Sequence, residues 1–141
     1  MIQLVTDRTE TDVLLQTPKG SYSHGDLNRV EAAVEELAAL LPRLDLALPL
    51  TVKTDWAPPE AFSPETWPTQ NQMHRFLQNV HRLCDRLSLP TEALPDSMSR
   101  LTWQGANRIE QALEQAQSRA QAILQAHPYS GEFFAGEETI L

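Results

Sequence analysis

His81 and Cys84 stand three residues apart, a spacing that puts both on one face of a helix and would supply half of a metal site. No second ligand pair of suitable spacing accompanies them. Cys84 then reads as a small core filler and His81 as its neighbour, so no metal and no cofactor are expected. Asp55, Glu60 and Glu65 flank Trp56, Phe62 and Trp67. Carboxylates beside aromatics bind carbohydrate, or cleave it when two carboxyl groups sit roughly 5–10 Å apart. The competing reading is that a proline-rich loop with no ladder of its own needs buried tryptophans to hold its shape. A third cluster, His74, Arg75, His81, Arg82 and Arg86, makes one segment locally basic. It fits a face paired with Glu31, Glu35 and Glu36, or a surface by which a cytoplasmic regulator docks an acidic protein. The motifs G-x-S-x-G, H-E-x-x-H, G-x-G-x-x-G and the phosphate-binding loop do not occur. The expectation is a chain that is not an enzyme and has no catalytic residues.

The elements that must position these groups are marked by apolar rhythm. Leu27, Val30, Val34, Leu37 and Leu41 step by three and four, as do Met73, Phe76, Val80, Leu83 and Leu87. Ala106, Ile109, Leu113, Ala116, Ala120 and Ile123 repeat the pattern. Such spacing gathers each set on one helical stripe. Ser23 with Asp26 and Thr69 with Gln72 read as capping boxes, Thr102 as a third cap weakened by Gly105, and Pro42, Pro90 and Pro128 as stops. Helices are therefore expected near 24–41, 69–88 and 102–126. A short fourth is expected near the N-terminus, with Asp7 and Glu10 as its box before Val13 and Leu14.

Between the first two long helices, Leu44, Leu46, Leu48, Leu50 and Val52 alternate with polar or small residues and Pro49. Period two predicts a half-buried edge strand over 44–52, paired with one or both termini. The expected fold class is mainly α: a three-helix bundle with a minor antiparallel β element. Residues 1–128 form the helical domain, and 129–141 an aromatic and acidic interaction tail. In that tail Tyr129-Ser130-Gly131-Glu132 is echoed by Phe134-Ala135-Gly136-Glu137, with Phe133 between. These aromatics either fold back over the bundle or add a strand to another chain. A weak internal repeat aligns Leu27-Asn28-Arg29-Val30-Glu31 with Ala106-Asn107-Arg108-Ile109-Glu110, partly followed by Met73-His74-Arg75-Phe76-Leu77. It reflects either chance likeness of amphipathic helices or equivalent contacts made by the paired Asn-Arg dipeptides.

With 141 residues, 41% apolar and 21% charged, the chain suits one globular core. Its net charge of −8 argues against nucleic acid as a partner, because phosphate binding needs a concentrated basic patch. One cysteine excludes an internal disulfide. No apolar run approaches the roughly 20 residues of a membrane span, and the opening residues lack a signal-peptide pattern, so no membrane partner is expected and synthesis in a cytoplasm is.

An ordered set of short motifs adds a resemblance. Thr6-Asp7-Arg8-Thr9 with Asp12-Val13 and Asp26-Leu27-Asn28-Arg29-Val30-Glu31 open it, followed by Lys53-Thr54-Asp55-Trp56, Pro68-Thr69 with Gln72-Met73, and Asn79-Val80. Leu94-Pro95 with Ser97-Met98, Leu101-Thr102, Ala106-Asn107 with Ile109-Glu110, and Tyr129-Ser130-Gly131-Glu132 complete it. Over nearly its whole length the chain resembles a family of structural proteins encoded in the tail-gene region of prophages of Gram-positive, gut-associated bacteria. That resemblance implies a virion tail or baseplate component, assembled in the bacterial cytoplasm, that binds other phage tail proteins and itself forms a homo-oligomer. It carries over no catalytic residue. The proline-rich insert over 58–64 and the acidic C-terminal tail depart from the family pattern. The residues expected to meet partners are Trp56, as anchor of the middle loop, with Tyr129, Phe133, Phe134, Asn28, Arg29, Asn107 and Arg108.

Overall fold

A computed structural model describes residues 1–61, 63 and 67–126. The four helices are α1 (Glu10–Leu14), α2 (His24–Leu40), α3 (Gln70–Arg86) and α4 (Trp103–Ala126). Their starts follow from capping chemistry. The Thr69 hydroxyl accepts the Gln72 backbone N–H at 3.1 Å while the Gln72 side chain accepts the Thr69 N–H at 3.0 Å. Ser23 and Asp26 form the corresponding box on α2, and the Thr102 hydroxyl accepts the Gly105 N–H at 3.0 Å. The box of α1 is Thr9 with Asp12, not Asp7 with Glu10. The Thr9 hydroxyl accepts the Asp12 N–H and the Asp12 side chain accepts the Thr9 N–H, whereas Asp7 is drawn away to pair with Lys19 at 3.0 Å.

Helix ends share one device. Gln16, Asp45 and Ser88 take left-handed φ of 55–58° just past α1, the 3-10 turn Leu41–Leu44 and α3. Ser88 donates to the Asp85 carbonyl and Leu89 to that of Cys84; Asp45 and Leu46 donate in the same way to Pro42 and Leu41. These paired bonds satisfy the last carbonyls and turn the chain back along the helix it has just left. Gly105, a poor residue for a helix start on propensity alone, is explained by packing. A Cβ there would lie 3.1 Å from Leu101 and 3.4 Å from Pro95.

The three long helices run in the same direction. Near their starts Arg29 of α2 bonds Glu110 of α4, and Glu31 of α2 bonds Arg75 of α3; past the far end of α3, the Leu87 carbonyl meets Arg119 of α4. Parallel helices require long returns, and extended strips provide them. Residues 44–56 run back between α2 and α3, bonded in turn to Arg86 (Leu46 carbonyl), to Arg75 and Asn79 (Thr51 carbonyl) and to Asn28 (Trp56). Residues 1–8 run between α4 and α2, from Ile2 beside Glu36 and Gln117 to Arg8 beside Asn107. Residues 89–101 lie along α3 and α4, with the Pro95 carbonyl 3.4 Å from His81.

The predicted antiparallel β element is therefore corrected: the described residues contain no strand. The alternation does set the buried face: Leu44 is buried and Leu46, Leu48, Leu50 and Val52 pack half-buried on the core while the residues between them face solvent. The error lies in the hydrogen bonds. A helix separates the 1–8 strip from the 44–56 strip, so among the described residues neither meets a second backbone, and helix side chains bond their carbonyls and N–H groups instead. Pairing of 44–52 with the C-terminal residues lies outside the described residues. The core is Val30, Val34, Leu37 and Leu41 against Phe76, Val80, Leu83, Ile109 and Leu113, as the three stripes predict.

Cys84 is part of this core, and burial pushes its thiol up to about 11. Tyr22 is pushed above its ordinary value too, first by burial and then by Glu110 and Asp26. Both groups bind their protons more tightly when folded, so their contribution is complete below the unfolded value of 9.0 for Cys84 and is lost as pH climbs toward 11. Urea unfolding at pH 8 and pH 10.5 is expected to show a fall in stability, part of it removed by Cys84→Ala. Equal stability at both pH values would contradict this burial.

Candidate functional site

Two polar clusters stand at equivalent places on α2 and α4. Five residues past its N-cap, α2 carries Asn28 and α4 carries Asn107; eight past, Glu31 and Glu110. Asn28 grips the backbone of Trp56 at both ends, accepting its N–H at 2.7 Å and donating to its carbonyl at 3.1 Å. Asn107 does the same to Arg8, at 3.0 and 2.9 Å. An amide side chain offers one acceptor and one donor, which is what a single extended residue needs once it has no neighbouring strand.

The glutamates then take the side chain of the gripped residue. Glu31 accepts from Trp56 Nε1 at 2.8 Å, and Glu110 from Arg8 Nη2 at 2.7 Å. Each is buried beside apolar core, so each carboxylate must find countercharge. Arg75 chelates Glu31 at 2.8 and 2.6 Å, which holds its guanidinium further toward the charged form. Arg29 chelates Glu110 at 2.8 and 2.6 Å and reaches Asp26 at 2.6 Å. Arg8 also reaches Asp26, at 3.2 Å, and lies over the Tyr22 ring at 5.4 Å. Two arginines and two carboxylates balance in charge, and the Val5 N–H adds a further bond to Glu110 at 2.9 Å. Arg8 Nε and the Tyr22 hydroxyl meet no hydrogen-bond partner among the described residues. Both residues line a polar cavity of about 40 Å³, large enough for a water molecule.

The sequence signal was half legible. Of the paired Asn-Arg dipeptides, the asparagines make equivalent contacts and the arginines do not: Arg29 is locked to Glu110, while Arg108 is exposed. Trp56 is buried, with Lys53 over its ring at 5.3 Å, and its side chain faces the fold. Asn28, Arg29 and Asn107 are likewise committed within the chain. Asp55 is exposed and bonded to Lys53, and Trp67 is exposed, so Trp56 and Trp67 do not form one aromatic platform. Tyr129, Phe133 and Phe134 lie outside the described residues. Of the basic cluster, Arg75 takes Glu31 and Arg86 takes the Leu46 carbonyl. Arg8, Glu31, Asp26 and Glu110 form a site that apolar periodicity does not reveal. The signal was present: Thr-Asp precedes both gripped residues, at Thr6-Asp7-Arg8 and Thr54-Asp55-Trp56, and both glutamates fall at one position after a cap.

No group of three or more His, Cys, Asp or Glu side chains arranged to hold a metal occurs among the described residues, and no helix among them is long and apolar enough to cross a membrane. What the clusters do chemically is fasten: they fix two extended strips against a parallel bundle. Comparison with family models, with curated proteins and with solved structures found no match.

Proposed function

We propose that this chain is a non-enzymatic architectural protein, a component of a bacteriophage tail or baseplate that works through protein–protein contacts. The observation that carries the contact role is the display of Val13, Leu14 and Leu15. They are 41%, 75% and 69% exposed, on a helix with no buried residue of its own. Three consecutive apolar side chains held in water are a feature of interaction surfaces. They are also held firmly: Asp12 bonds both Thr9 and Thr17, and Gly20 packs so closely on the Asp12 backbone that a Cβ would clash at 2.2 Å. The phage setting rests on the motif resemblance alone.

The reading makes the tail an assembly element and α1 a second one. Deleting residues 129–141 is expected to leave the helical circular dichroism largely unchanged while removing co-purification with tail proteins. Replacing Leu14 and Leu15 by Asp is expected to weaken that co-purification without unfolding the chain. Full co-purification of both variants would contradict the proposal.

A further inference from the structure

The charge cluster around Arg8 leaves two donors unspent. Arg8 is 3% exposed, and its Nη atoms are committed to Val5, Asn107, Asp26 and Glu110. Its Nε and the buried Tyr22 hydroxyl have no hydrogen-bond partner among the described residues. Burial, then Glu110 and Asp26, push the Tyr22 pKa above its ordinary value, so the phenol keeps its proton and can donate. Buried donors are costly to leave unmet, and two of them on one cavity call for an occupant that accepts. The rest of that cavity, about 40 Å³ in volume, has the same character. The exposed Lys19 brings an ammonium to it. Thr102 and Trp103, the cap and first residue of the 24-residue α4, set the positive end of a helix against it. The Gly105 N–H is taken by the Thr102 hydroxyl, whereas those of Trp103 and Gln104 have no partner within the helix. Gly20, Leu101 and Ala106 complete the wall, and among the described residues no lining side chain is acidic.

We propose that this cavity binds one small inorganic monoanion, chloride, which accepts from Arg8 Nε and the Tyr22 hydroxyl beside the start of α4. Size and hydrogen-bond polarity select that ligand. The volume admits a monatomic ion and excludes a nucleotide or a sugar. A water molecule accepts as a chloride does, but it brings two hydrogens that need acceptors of their own. It can turn one to the Tyr22 oxygen; the Thr102 oxygen is already engaged by Gly105, and the other lining side chains offer donors or apolar surface. A chloride only accepts, so it meets these donors without spending any of its own. The carboxylates nearby limit its affinity. Asp26 and Glu110 balance Arg8 and Arg29, and Asp7 pairs with Lys19, so the pull comes from aimed donors and the helix end and not from excess positive charge. A dissociation constant of about 10 mM is expected. The ion joins three segments: the 1–8 strip through Arg8, the chain following α1 through Lys19 and Tyr22, and the first turn of α4. It thereby helps to fix α1 and its exposed apolar residues to the bundle.

The inference goes beyond the architectural reading and stands without it. The test is urea unfolding of the full chain at fixed ionic strength as chloride replaces gluconate, an anion too large for the cavity. At about 100 mM chloride, ten times the expected dissociation constant, the folding equilibrium constant is expected to be about tenfold higher than in gluconate. Tyr22→Phe removes one donor and keeps the ring over Arg8. That variant is expected to fold and to gain about twofold or less from the same chloride, as a tenfold weaker site would. Anomalous diffraction from bromide soaked into crystals of the parent chain gives a second readout, independent of the variant. One bromide peak is expected in the cavity, against Arg8 and Tyr22. Equal stability of the parent in chloride and gluconate would overturn the proposal and leave water as the occupant. So would an undiminished chloride response in Tyr22→Phe, or a cavity without bromide.

Discussion

Glu110→Ala is expected to destabilise the fold by about 3–5 kcal/mol, because it leaves Arg8 and Arg29 buried or half-buried beside a single remaining carboxylate. Glu110 accepts from Arg8, from two atoms of Arg29 and from the Val5 N–H, and none of its side chain is exposed. Removing it orphans those donors together. The penalty comes from the unpaired charges and not from the intrinsic worth of the pair, since desolvation offsets much of a buried ion pair's attraction. Replacement of all four charged members, Arg8→Met, Arg29→Leu, Glu110→Leu and Asp26→Asn (which keeps an acceptor for the Ser23 cap), is accordingly expected to recover most of the loss. Urea unfolding followed by circular dichroism measures both. A single-variant loss under about 1 kcal/mol would mean that the network behaves as an exposed one.

Trp56→Ala is expected to cost about 3–5 kcal/mol, the range for deleting a large buried aromatic. The residue is 4% exposed and is held at three points: backbone by Asn28, indole N–H by Glu31, ring face by Lys53. Trp56→Phe keeps the backbone grip and most of the packing but deletes the donor to Glu31. Its expected cost is about 1.5–3 kcal/mol, that of a hydrogen bond to a charged group. Arg75 remains on Glu31 in both variants, so the carboxylate is never left alone. A cost near zero for Trp56→Phe would show that the indole N–H bond contributes little beyond the ring, and equal costs would show that the ring adds little beyond that bond.

The helices were legible because their determinants are local. A 3-4 apolar stripe and a capping box such as Thr69 with Gln72 lie within a few residues of each other. The direction of the helices was not legible, since it depends on where residues 44–56 and 89–101 travel. Period two at Leu44 to Val52 gives the face of an extended strip correctly but says nothing about what bonds its backbone. There, Asn79 and Arg75 took the place of a neighbouring strand at the Thr51 carbonyl. The buried charges were hidden for a related reason. Glu31 adjoins the stripe residue Val30, and read alone it looks like a solvated acid. Only its pairing with Trp56 and Arg75, twenty-five and forty-four positions away, shows why a carboxylate sits there. The asparagine repeat was visible, whereas the strips it grips could be found only by linking Thr6-Asp7-Arg8 with Thr54-Asp55-Trp56.

The architectural claim is tested most directly by mass spectrometry of gradient-purified phage particles induced from the strain that encodes this chain. The account predicts its peptides in the particle fraction, at a constant ratio to tail proteins across the gradient. Peptides found in the lysate but missing from the particles would contradict it.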